Sequence, residues 1–323
     1  MHSNSLSICI PTYNRFANLK ETLENVSDSS KIFSFVKEII IVDNNENNKA
    51  KNIVNHYMAH NDKIKYIQNK KNIGPENNFK KCIELASGEH IWLIADDDLL
   101  FDHSLGLIEK KKFDFDILIV NWSLYNNNFS SLIKEKILKS NKDTFNNKDE
   151  ILSIFGSKLS FISSVIFKKS LFDKEVENIY DSLAPYQLSF LSLVYSIIDN
   201  HSKILFLEKP LIMQRADNDP YLGDNVKNFY NVFSDGIHFF HKKISKLGYS
   251  NRAIRSSLKD SFYLFILKDL INRKIKKDNY KFAFTSSYRS YSSIFSLKII
   301  LLLIYIIPAN LFLFLKTMKK VLK

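Results

Sequence analysis

Cysteine and glycine are both scarce in this chain of 323 residues. The two cysteines, Cys9 and Cys82, lie in apolar segments. This number excludes a disulfide framework, and no zinc-site spacing is present, so we expect two reduced thiols in the core. The 7 glycines begin at Gly74. The chain therefore lacks the early glycine-rich phosphate loop that a nucleotidyltransferase or pyrophosphorylase would normally show.

Acidic residues are outnumbered by basic ones. The chain has 46 lysines and arginines against 34 aspartates and glutamates, a net charge of +12, and the basic excess lies mainly in the last hundred residues. A positive charge favours anionic partners such as phospholipid head groups or phosphorylated substrates. No helix-turn-helix, zinc or RNP-type pattern is present, so no nucleic-acid partner is expected.

Short apolar runs alternate with helical patterns over roughly the first 120 residues. The β-branched run EIIIVD at 38–43 predicts a strand covered on both faces, whereas Phe16, Leu19 and Leu23 recur at helical spacing. This alternation predicts an α/β fold with a parallel, doubly wound sheet. The predicted strands are 6–10, 38–43, 64–67, 90–95 and 117–122, with less regular candidates at 159–167 and 204–213, and helices are predicted at 75–86 and 186–198.

Polar clusters follow the first four predicted strands. They are PTYN, DNN, NIGPENN and the triple aspartate DDD. Ligands of doubly wound sheets bind beyond the carboxyl ends of the strands. Adjacent carboxylates at the end of a buried strand need a cation or a network of donors. Each cluster alone is also consistent with a turn or a helix cap, but their order and spacing together predict a binding site.

Four segments resemble glycosyltransferase family 2 in sequence and in spacing. They are SICIPTYNR (7–15), EIIIVDNN (38–45), NIGPENN (72–78) and ASGEHIWLIADDD (86–98). The resemblance covers about the first 100 to 120 residues, and the DDD variant is similar to the branch that includes abequosyltransferase-like enzymes of O-antigen synthesis. It implies the GT-A fold of nucleotide-diphospho-sugar transferases, with a mostly parallel doubly wound sheet and a C-terminal helical region.

The same resemblance implies a nucleoside-diphosphate sugar as donor and a Mg²⁺ or Mn²⁺ ion that bridges its phosphates. Asp98 is the expected direct metal ligand. Asp96 and Asp97 would meet the ribose, a metal-bound water or the sugar, and Asp96 is a second candidate ligand. The commoner family order is Asp-x-Asp-Asp. Ala95 stands at its first position here, so that contact must come from Asp96 or be missing.

The nucleotide side of the site is also implied by the resemblance. Asp43 would accept a hydrogen bond from the base, and Tyr13 would pack against a pyrimidine ring. Gly74 would permit close backbone approach, and the helix that follows it would offer amide donors to the pyrophosphate. The residues expected to bind the nucleotide sugar are Pro11, Thr12, Tyr13, Asn14, Asp43, Asn72, Gly74, Asn78, Asp96, Asp97 and Arg215.

Inverting members of the family need a general base for the acceptor hydroxyl. The family places an acidic residue roughly 80 to 100 residues after the metal carboxylate, before an apolar helix. Asp181 fits that position, with Asp173, Glu175 and Glu177 just before it. An exposed loop carboxylate is the alternative interpretation of Asp181. Arg215 would contact phosphate or acceptor, and a surface salt bridge is its alternative.

The C-terminal region has an apolar run at 299–315, interrupted by Pro308 and Asn310 and followed by four lysines at 316, 319, 320 and 323. Three interpretations stay open: an interfacial or re-entrant helix, a spanning helix, or a helix packed on the protein. We expect a catalytic domain over 1–222, with a nucleotide-binding half (1–122) and an acceptor half (123–222). A helical region should follow over 223–323, with a membrane-associating tail at 296–323.

Together these features predict a metal-dependent, inverting glycosyltransferase. Its acceptor would be a saccharide linked to polyprenyl diphosphate, in the synthesis of bacterial O-antigen or capsule. It would act at the cytoplasmic face of the bacterial inner membrane. A non-catalytic nucleotide-sugar-binding or membrane scaffold protein on the same fold is the main alternative, and a nucleotidyltransferase is a further one.

Overall fold

The structure is a computed structural model, and it describes residues 5–27, 34–216 and 225–313. The predicted boundary at 222/223 and the last part of the predicted tail, 314–323, lie outside the described residues. The chain divides into two compact units. The first comprises residues 1–148, 158–184 and 189–219, and the second comprises residues 149–157, 185–188 and 220–323.

The first unit is built on a mixed β-sheet. Its central strands are buried along their whole length because both faces are covered by the fold, as in the run LSICIPT of the first strand. The strands are β1 (Leu6–Thr12), β2 (Val36–Asp43), β3 (Ile64–Gln68), β4 (His90–Leu93), β5 (Leu99–Leu100), β6 (Ile117–Tyr125), β7 (Leu132–Lys134), β8 (Thr144–Phe145), β9 (Val165–Lys168) and β10 (Ile204–Arg215).

Helices connect these strands and form most of the second unit. The α-helices are α1 (Phe16–Val26), α2 (Lys49–Met58), α3 (Pro75–Leu85), α4 (Ser104–Lys110), α5 (Lys148–Phe155), α6 (Lys174–Leu183), α7 (Ser189–Ile197), α8 (Val226–Tyr230), α9 (Ile237–Ser245), α10 (Asn251–Ser261), α11 (Leu267–Lys276), α12 (Tyr280–Tyr291) and α13 (Phe295–Ile306), and π-helical turns occur at Asn231–Gly236 and Phe262–Ile266.

The sheet runs in the order β3-β2-β1-β4-β9-β6-β10-β5. The strands β1 to β4 pair in parallel, and β6 pairs in parallel with β10. Between these two groups lies β9, which is antiparallel to both β4 and β6. The predicted α/β fold with a helical C-terminal region is therefore confirmed, and the second half of the sheet is mixed.

The predicted strand at 159–167 was too long. Only Val165–Lys168 is a strand, and two 3₁₀ turns, Gly156–Ser160 and Ile162–Ser164, precede it. A serine hydroxyl in this run bonds locally to the backbone, which competes with strand pairing. The hydroxyl of Ser164, for example, donates to the carbonyl oxygen of Phe161 at 2.6 Å.

Both cysteines are buried and free, as predicted. The thiol of Cys9 lies 3.6 Å from the carbonyl oxygen of Cys82, which places β1 against α3. Burial raises the pKa of both thiols. They are therefore unreactive core residues.

The helix α13 ends at Ile306, just before Pro308. Leu297, Leu301 and Ile304 form its buried stripe. Within residues 5–27, 34–216 and 225–313, no helix is both long and apolar enough to cross a membrane.

Candidate active site

The carboxyl ends of β1, β2 and β4 meet at one edge of the sheet. Thr12 at the end of β1 lies in register with Asp43 at the end of β2. The amide of Ile94, just after β4, donates to the carbonyl oxygen of Cys9 at 2.8 Å. The predicted polar clusters after these strands therefore gather at the same edge, where a doubly wound sheet binds its ligand.

All three consecutive aspartates are buried, with exposures of 4%, 7% and 2% for Asp96, Asp97 and Asp98. A short turn holds them, in which the amide of Asp98 donates to the carbonyl oxygen of Ala95 at 3.2 Å. Thr22 on α1 fastens the turn, because its hydroxyl lies 3.0 Å from the carbonyl oxygens of both Asp96 and Asp98. The turn thus keeps three consecutive carboxylates buried at this edge of the sheet.

Two donors hold the carboxylate of Asp96. The hydroxyl of Thr12 donates to one oxygen at 2.7 Å, and the guanidinium of Arg15 lies 3.1 Å from the other. The same guanidinium nitrogen lies 3.0 Å from an oxygen of Asp97. Burial, and then the charge of Asp97, nevertheless raises the pKa of Asp96 to about 6. One arginine therefore bridges two carboxylates without fully compensating their burial.

The carboxylate of Asp98 has neutral partners. The hydroxyl of Ser163 donates to one oxygen at 3.1 Å, and the backbone amide of Arg215 lies 3.4 Å from the other. Among the residues that the structure describes, Asp98 makes no ion pair. Burial, followed by the charge of Asp97, raises its pKa well above the usual range. This carboxylate is placed where a cation would stabilise it most.

Arg215 lies at the end of β10 and contacts the aspartate turn. Its side chain is 7% exposed. It donates to the carbonyl oxygen of Asp97 at 3.2 Å, pairs with Glu21 at 2.5 Å, bonds to the carbonyl oxygen of Asn127 and stacks 4.3 Å from the ring of Phe129. The surface salt bridge considered from the sequence is thus a mostly buried network that fixes the aspartate turn.

The donor set fits a divalent cation. Mg²⁺ and Mn²⁺ prefer oxygen ligands and are commonly held by one or two carboxylates together with the phosphates of a substrate. Asp98 is buried beside Asp97 and Asp96, whose carboxylates both contact the guanidinium of Arg15. Within the described part of the chain, no group of three or more His, Cys, Asp or Glu side chains is arranged to hold a metal ion.

At the end of β2, Asp43 is fully buried and accepts three hydrogen bonds. One carboxylate oxygen accepts from the backbone amide and the side-chain amide of Asn45, at 2.9 Å and 2.6 Å. The other accepts from the hydroxyl of Tyr66 at 2.7 Å. A carboxylate oxygen accepts about two hydrogen bonds, so the second oxygen retains capacity for one donor.

A network of asparagines joins the second and third polar clusters. Asn44 donates to Asn72 at 2.7 Å and accepts from Asn69 at 3.0 Å. Asn69 also donates to Asn78, whose amide in turn reaches the carbonyl oxygen of Val42. Asn78 is buried, whereas Asn72 is exposed at the edge of the site. The network fixes the loop that leads into α3.

Two backbone conformations shape the loops around this edge. Gly74 has φ of +82° and directly precedes Pro75, the first residue of α3. A side chain would meet no atom there, so it is the left-handed backbone that favours glycine. Asn14, with φ of +57°, makes the corresponding turn after β1. Pro11 and Thr12 are buried, while Tyr13 is half-buried and Asn14 is exposed.

Asp181 lies on α6 and belongs to a different cluster. Lys80 on α3 lies 2.9 Å from Asp181 and 2.7 Å from Glu177. The side chain of Asp181 is 48% exposed. No described hydrogen bond or ion pair joins it to the three consecutive aspartates, so the contacts that gather the other predicted residues do not include Asp181.

A family model described as glycosyl transferase family 2 matches residues 7–171. This stretch is about half of the chain and contains the aspartate turn, Asp43 and Ser163. The chain belongs to glycosyltransferase family 2. It is therefore a glycosyltransferase, and the predicted resemblance is confirmed.

Several curated proteins are similar to this family 2 chain. Abequosyltransferase RfbV of Salmonella typhimurium is 28% identical over 67% of this chain and 68% of its own length. The uncharacterized glycosyltransferase MJ1057 of Methanocaldococcus jannaschii is 27% identical over 84% of this chain and 94% of its own. GalNAc(5)-diNAcBac-PP-undecaprenol beta-1,3-glucosyltransferase of Campylobacter jejuni is 28% identical over 53% of each chain.

Solved structures show the GT-A fold of family 2. S. aureus TarS (residues 1-349) superposes with a TM-score of 0.59 and 16% identity, covering 89% of this chain and 81% of TarS. The mannosyltransferase PcManGT from Pyrobaculum calidifontis, in complex with GDP-Man and Mn²⁺, gives a TM-score of 0.51 and 10% identity over 89% of this chain and 74% of its own. These likenesses confirm the predicted fold.

Four residues of the aspartate site were missed from the sequence as individual contributors. Arg15 lies within the motif SICIPTYNR, which by itself does not assign this arginine a role. Thr22 and Glu21 look like ordinary residues of an amphipathic helix, and Ser163 is one serine in a serine-rich run. The clue for Arg15 is charge, since three adjacent acids need a nearby cation. Nothing in the sequence singles out the other three.

Proposed function

We propose that this family 2 glycosyltransferase moves a sugar from a nucleoside-diphosphate sugar to a lipid-linked saccharide in the synthesis of a bacterial surface polysaccharide. One observation carries the proposal. The carboxylate of Asp98 is buried, has neutral partners and stands beside two further carboxylates where parallel strands end. That arrangement suits a cation and the diphosphate it accompanies.

A Mg²⁺ or Mn²⁺ ion bound by Asp98, with Asp96 as a second ligand, would stabilise the negative charge of the departing diphosphate. The protein's own part is to keep those ligands in place. Ser163 orients Asp98, while Thr12 and Arg15 orient Asp96. Arg15 also contacts one carboxylate oxygen of Asp97, and Asp97 would meet the ribose or the sugar.

The nucleotide would lie along the ends of β1 and β2. Asp43 is held by Asn45 and Tyr66 and keeps capacity for one donor from the base. Thr12 and Tyr13 would form the wall beside the base and ribose. The positive φ of Gly74 and the start of α3 support the amide contacts proposed for the pyrophosphate.

Transfer would proceed with inversion, with Asp181 as the general base. The acceptor oxygen attacks the anomeric carbon, the bond from that carbon to the diphosphate oxygen breaks, and the base removes the proton of the acceptor hydroxyl. The ion pair of Asp181 with Lys80 would have to open for this role. Because Asp181 is partly exposed, breaking this ion pair costs little free energy.

The acceptor is proposed from the relatives. The Campylobacter jejuni relative is named for an undecaprenol-linked substrate, and the Salmonella typhimurium relative is named as an abequosyltransferase. These names support a saccharide carried on a polyprenyl diphosphate as the acceptor of this chain. We place the reaction at the cytoplasmic face of the bacterial inner membrane, where such a lipid would meet a nucleotide sugar.

Calorimetric binding of UDP, CDP, GDP and dTDP, each with and without Mn²⁺, tests the donor site. We expect one nucleotide to bind, with an affinity that depends on Mn²⁺. Asp98→Asn should weaken that binding more than about a hundredfold, because it removes the charged ligand while keeping the size of the side chain. Asp62→Asn, at an exposed position outside the site, is the matched control and should bind like the wild type.

Two results would contradict the proposal in different ways. Tight nucleotide binding without any effect of Mn²⁺ would refute the metal role of Asp98 and leave the donor class standing. Absence of binding for all four nucleotides would favour the non-catalytic scaffold instead. Release of a nucleoside diphosphate from the matching nucleotide sugar, with a lipid-linked acceptor present, would then measure the transfer itself.

A further inference from the structure

The helix α13 is apolar on two opposite faces. Leu297, Leu301 and Ile304 are buried in the second unit. On the other face Phe295, Ile299, Leu302 and Ile306 follow one another at spacings of four, three and four residues, and their exposures are 77%, 43%, 39% and 72%. A surface helix normally turns charged and polar residues to water, so this face lacks a partner within the described part of the second unit.

The exposed stripe extends about 16 Å along the helix axis, at a rise of about 1.5 Å per residue. Leu303 and Tyr305 widen it, with exposures of 49% and 60%. Leu311 and Leu313, beyond Pro308, are also half-exposed. We call the six of these residues that lie on the helix the apolar face of α13: Phe295, Ile299, Leu302, Leu303, Tyr305 and Ile306.

Lysines border the C-terminal end of this face. The ammonium of Lys274 on α11 donates to the carbonyl oxygen of Tyr305 at 2.7 Å and also bonds to that of Ile304. The ring of Tyr305 packs 4.9 Å from that of Phe284 on α12. The end of α11 and the beginning of α12 therefore lie beside Tyr305. Both carry exposed lysines, namely Lys276, Lys277 and Lys281.

The charge of the C-terminal part of the sequence is strongly one-sided. Residues 220–323 contain 19 of the 46 lysines and arginines but only 5 of the 34 acidic residues, a net charge of +14, whereas residues 1–219 carry −2. A second copy of the chain on this face would bring two such charges together. An anionic lipid surface would neutralise the lysines and cover the apolar residues at the same time.

We propose that the apolar face of α13 is a membrane-docking surface, which lies in the plane of an anionic phospholipid bilayer with Lys276, Lys277 and Lys281 at the head groups. The helix has 12 residues, and a span needs about 20. An interfacial position suits this length, because only the outward side chains enter the lipid. This proposal does not depend on the donor site, and it would stand even if the proposed transfer reaction were refuted.

Co-sedimentation of the full chain with lipid vesicles tests the surface. One set of vesicles contains 30 mol% phosphatidylglycerol in phosphatidylcholine, and the other contains phosphatidylcholine alone. We expect binding at least tenfold tighter to the anionic vesicles, and a marked loss of that preference at 1 M salt, where the Debye length falls to about 3 Å. Equal binding to both kinds of vesicle would overturn the electrostatic part of the proposal.

Matched variants locate the contact. Ile306→Asp should weaken binding to the anionic vesicles at least tenfold, whereas Ile133→Asp should leave it unchanged. Ile133 is the control because it is 56% exposed, but on β7 of the first unit. Replacing Lys276 and Lys277 together by glutamate should also weaken binding at least tenfold. The same change at the exposed Lys110 and Lys139 should have little effect.

The outcomes separate docking from other roles of the same face. Vesicle binding that is unchanged by Ile306→Asp and by the double lysine variant refutes the surface. A wild type that sediments as a dimer without lipid, and becomes a monomer with Ile306→Asp, would show that a second copy covers the face. The nucleotide binding of Ile306→Asp should equal that of the wild type, so a failed donor site and a failed docking surface are told apart.

Discussion

The hydroxyl of Ser163 donates to the carboxylate of Asp98 across a separation of 65 residues, with an oxygen–oxygen distance of 3.1 Å. The same hydroxyl oxygen accepts from the backbone amide of Ala95 at 3.0 Å. The carbonyl oxygen of Ser163 also accepts from the indole of Trp92 at 2.9 Å. One serine before β9 thus fixes both the start of the aspartate turn and its last carboxylate.

We predict that Ser163→Ala weakens Mn²⁺-dependent nucleotide binding by about 10- to 100-fold, the usual effect of removing a partner of a metal ligand. The free energy of unfolding should fall by about 1–3 kcal/mol, because the amide of Ala95 loses its acceptor. Calorimetry and urea denaturation measure the two effects. Ser164→Ala is the control, since its hydroxyl bonds to Phe161 instead. Wild-type binding by Ser163→Ala would remove this serine from the site.

We predict that Asp181→Asn lowers kcat about 10²- to 10⁴-fold, the usual contribution of a general base. Nucleotide binding should not change, because Asp181 contacts Lys80 rather than the aspartate turn. Release of nucleoside diphosphate in the presence of acceptor measures kcat. Glu175→Gln, an exposed neighbour on the same helix, should retain wild-type turnover. Full activity of Asp181→Asn would assign the base to another carboxylate.

The raised pKa of Glu76 should be visible in how the free energy of unfolding changes with pH. This carboxyl is buried in the first turn of α3, near the hydroxyl of Tyr180, and burial raises its pKa to about 7. Between about pH 4.5 and pH 7 the folded protein keeps a proton that the unfolded chain has lost. The free energy of unfolding therefore falls as the pH rises through this window, by about 3 kcal/mol from this group, and then levels off.

Urea denaturation of Glu76→Gln from pH 5 to pH 8 checks this prediction. The fall in stability should be smaller in the variant by about 3 kcal/mol, because Asp96 and Asp98, whose pKa values are also raised, still contribute to it. The variant should therefore be more stable than the wild type at pH 8, because its neutral side chain needs no proton. Glu84→Gln, at an exposed position of the same helix, should follow the wild-type curve. If the curves of Glu76→Gln and the wild type are parallel over the whole range, the raised pKa is refuted.

Substitutions on the two faces of α13 should lower the free energy of unfolding by very different amounts. Leu301→Ala should lower the free energy of unfolding by about 2–5 kcal/mol, because the side chain is fully buried. Leu303→Ala, two residues further on and 49% exposed, should change it by no more than about 0.5 kcal/mol. Chemical denaturation of both variants makes the comparison. Equal losses would mean that α13 is not packed on the protein through this stripe.

The sequence predicted local features of the fold and of the site well. The buried strands β1, β2 and β4 are contiguous apolar runs, and the clusters at their ends are contiguous too. Asp43 and the aspartate turn could therefore be located without knowing any long-range contact. Their gathering at one edge followed from the parallel sheet, which places the carboxyl ends of strands together.

Long-range contacts between unremarkable residues could not be predicted. The position of β9 between β4 and β6 depends on pairing over more than forty residues, and its apolar run looks the same in either direction. Arg215 was identified as a site residue, but its partners Glu21 and Asn127 come from distant loops and helices. Such contacts depend on packing, for which sequence periodicity carries no signal.

The position of the antiparallel strand β9 also limits when the sheet can be completed during synthesis. Synthesis from the N-terminus produces β4 and β6 well before β9 begins at Val165. Until then β4 and β6 each have an edge with unpaired backbone N–H and C=O groups, which can pair with strands of other chains. A fragment that ends at residue 122 should therefore aggregate, because a later segment must pair between its strands β4 and β6 to complete the sheet.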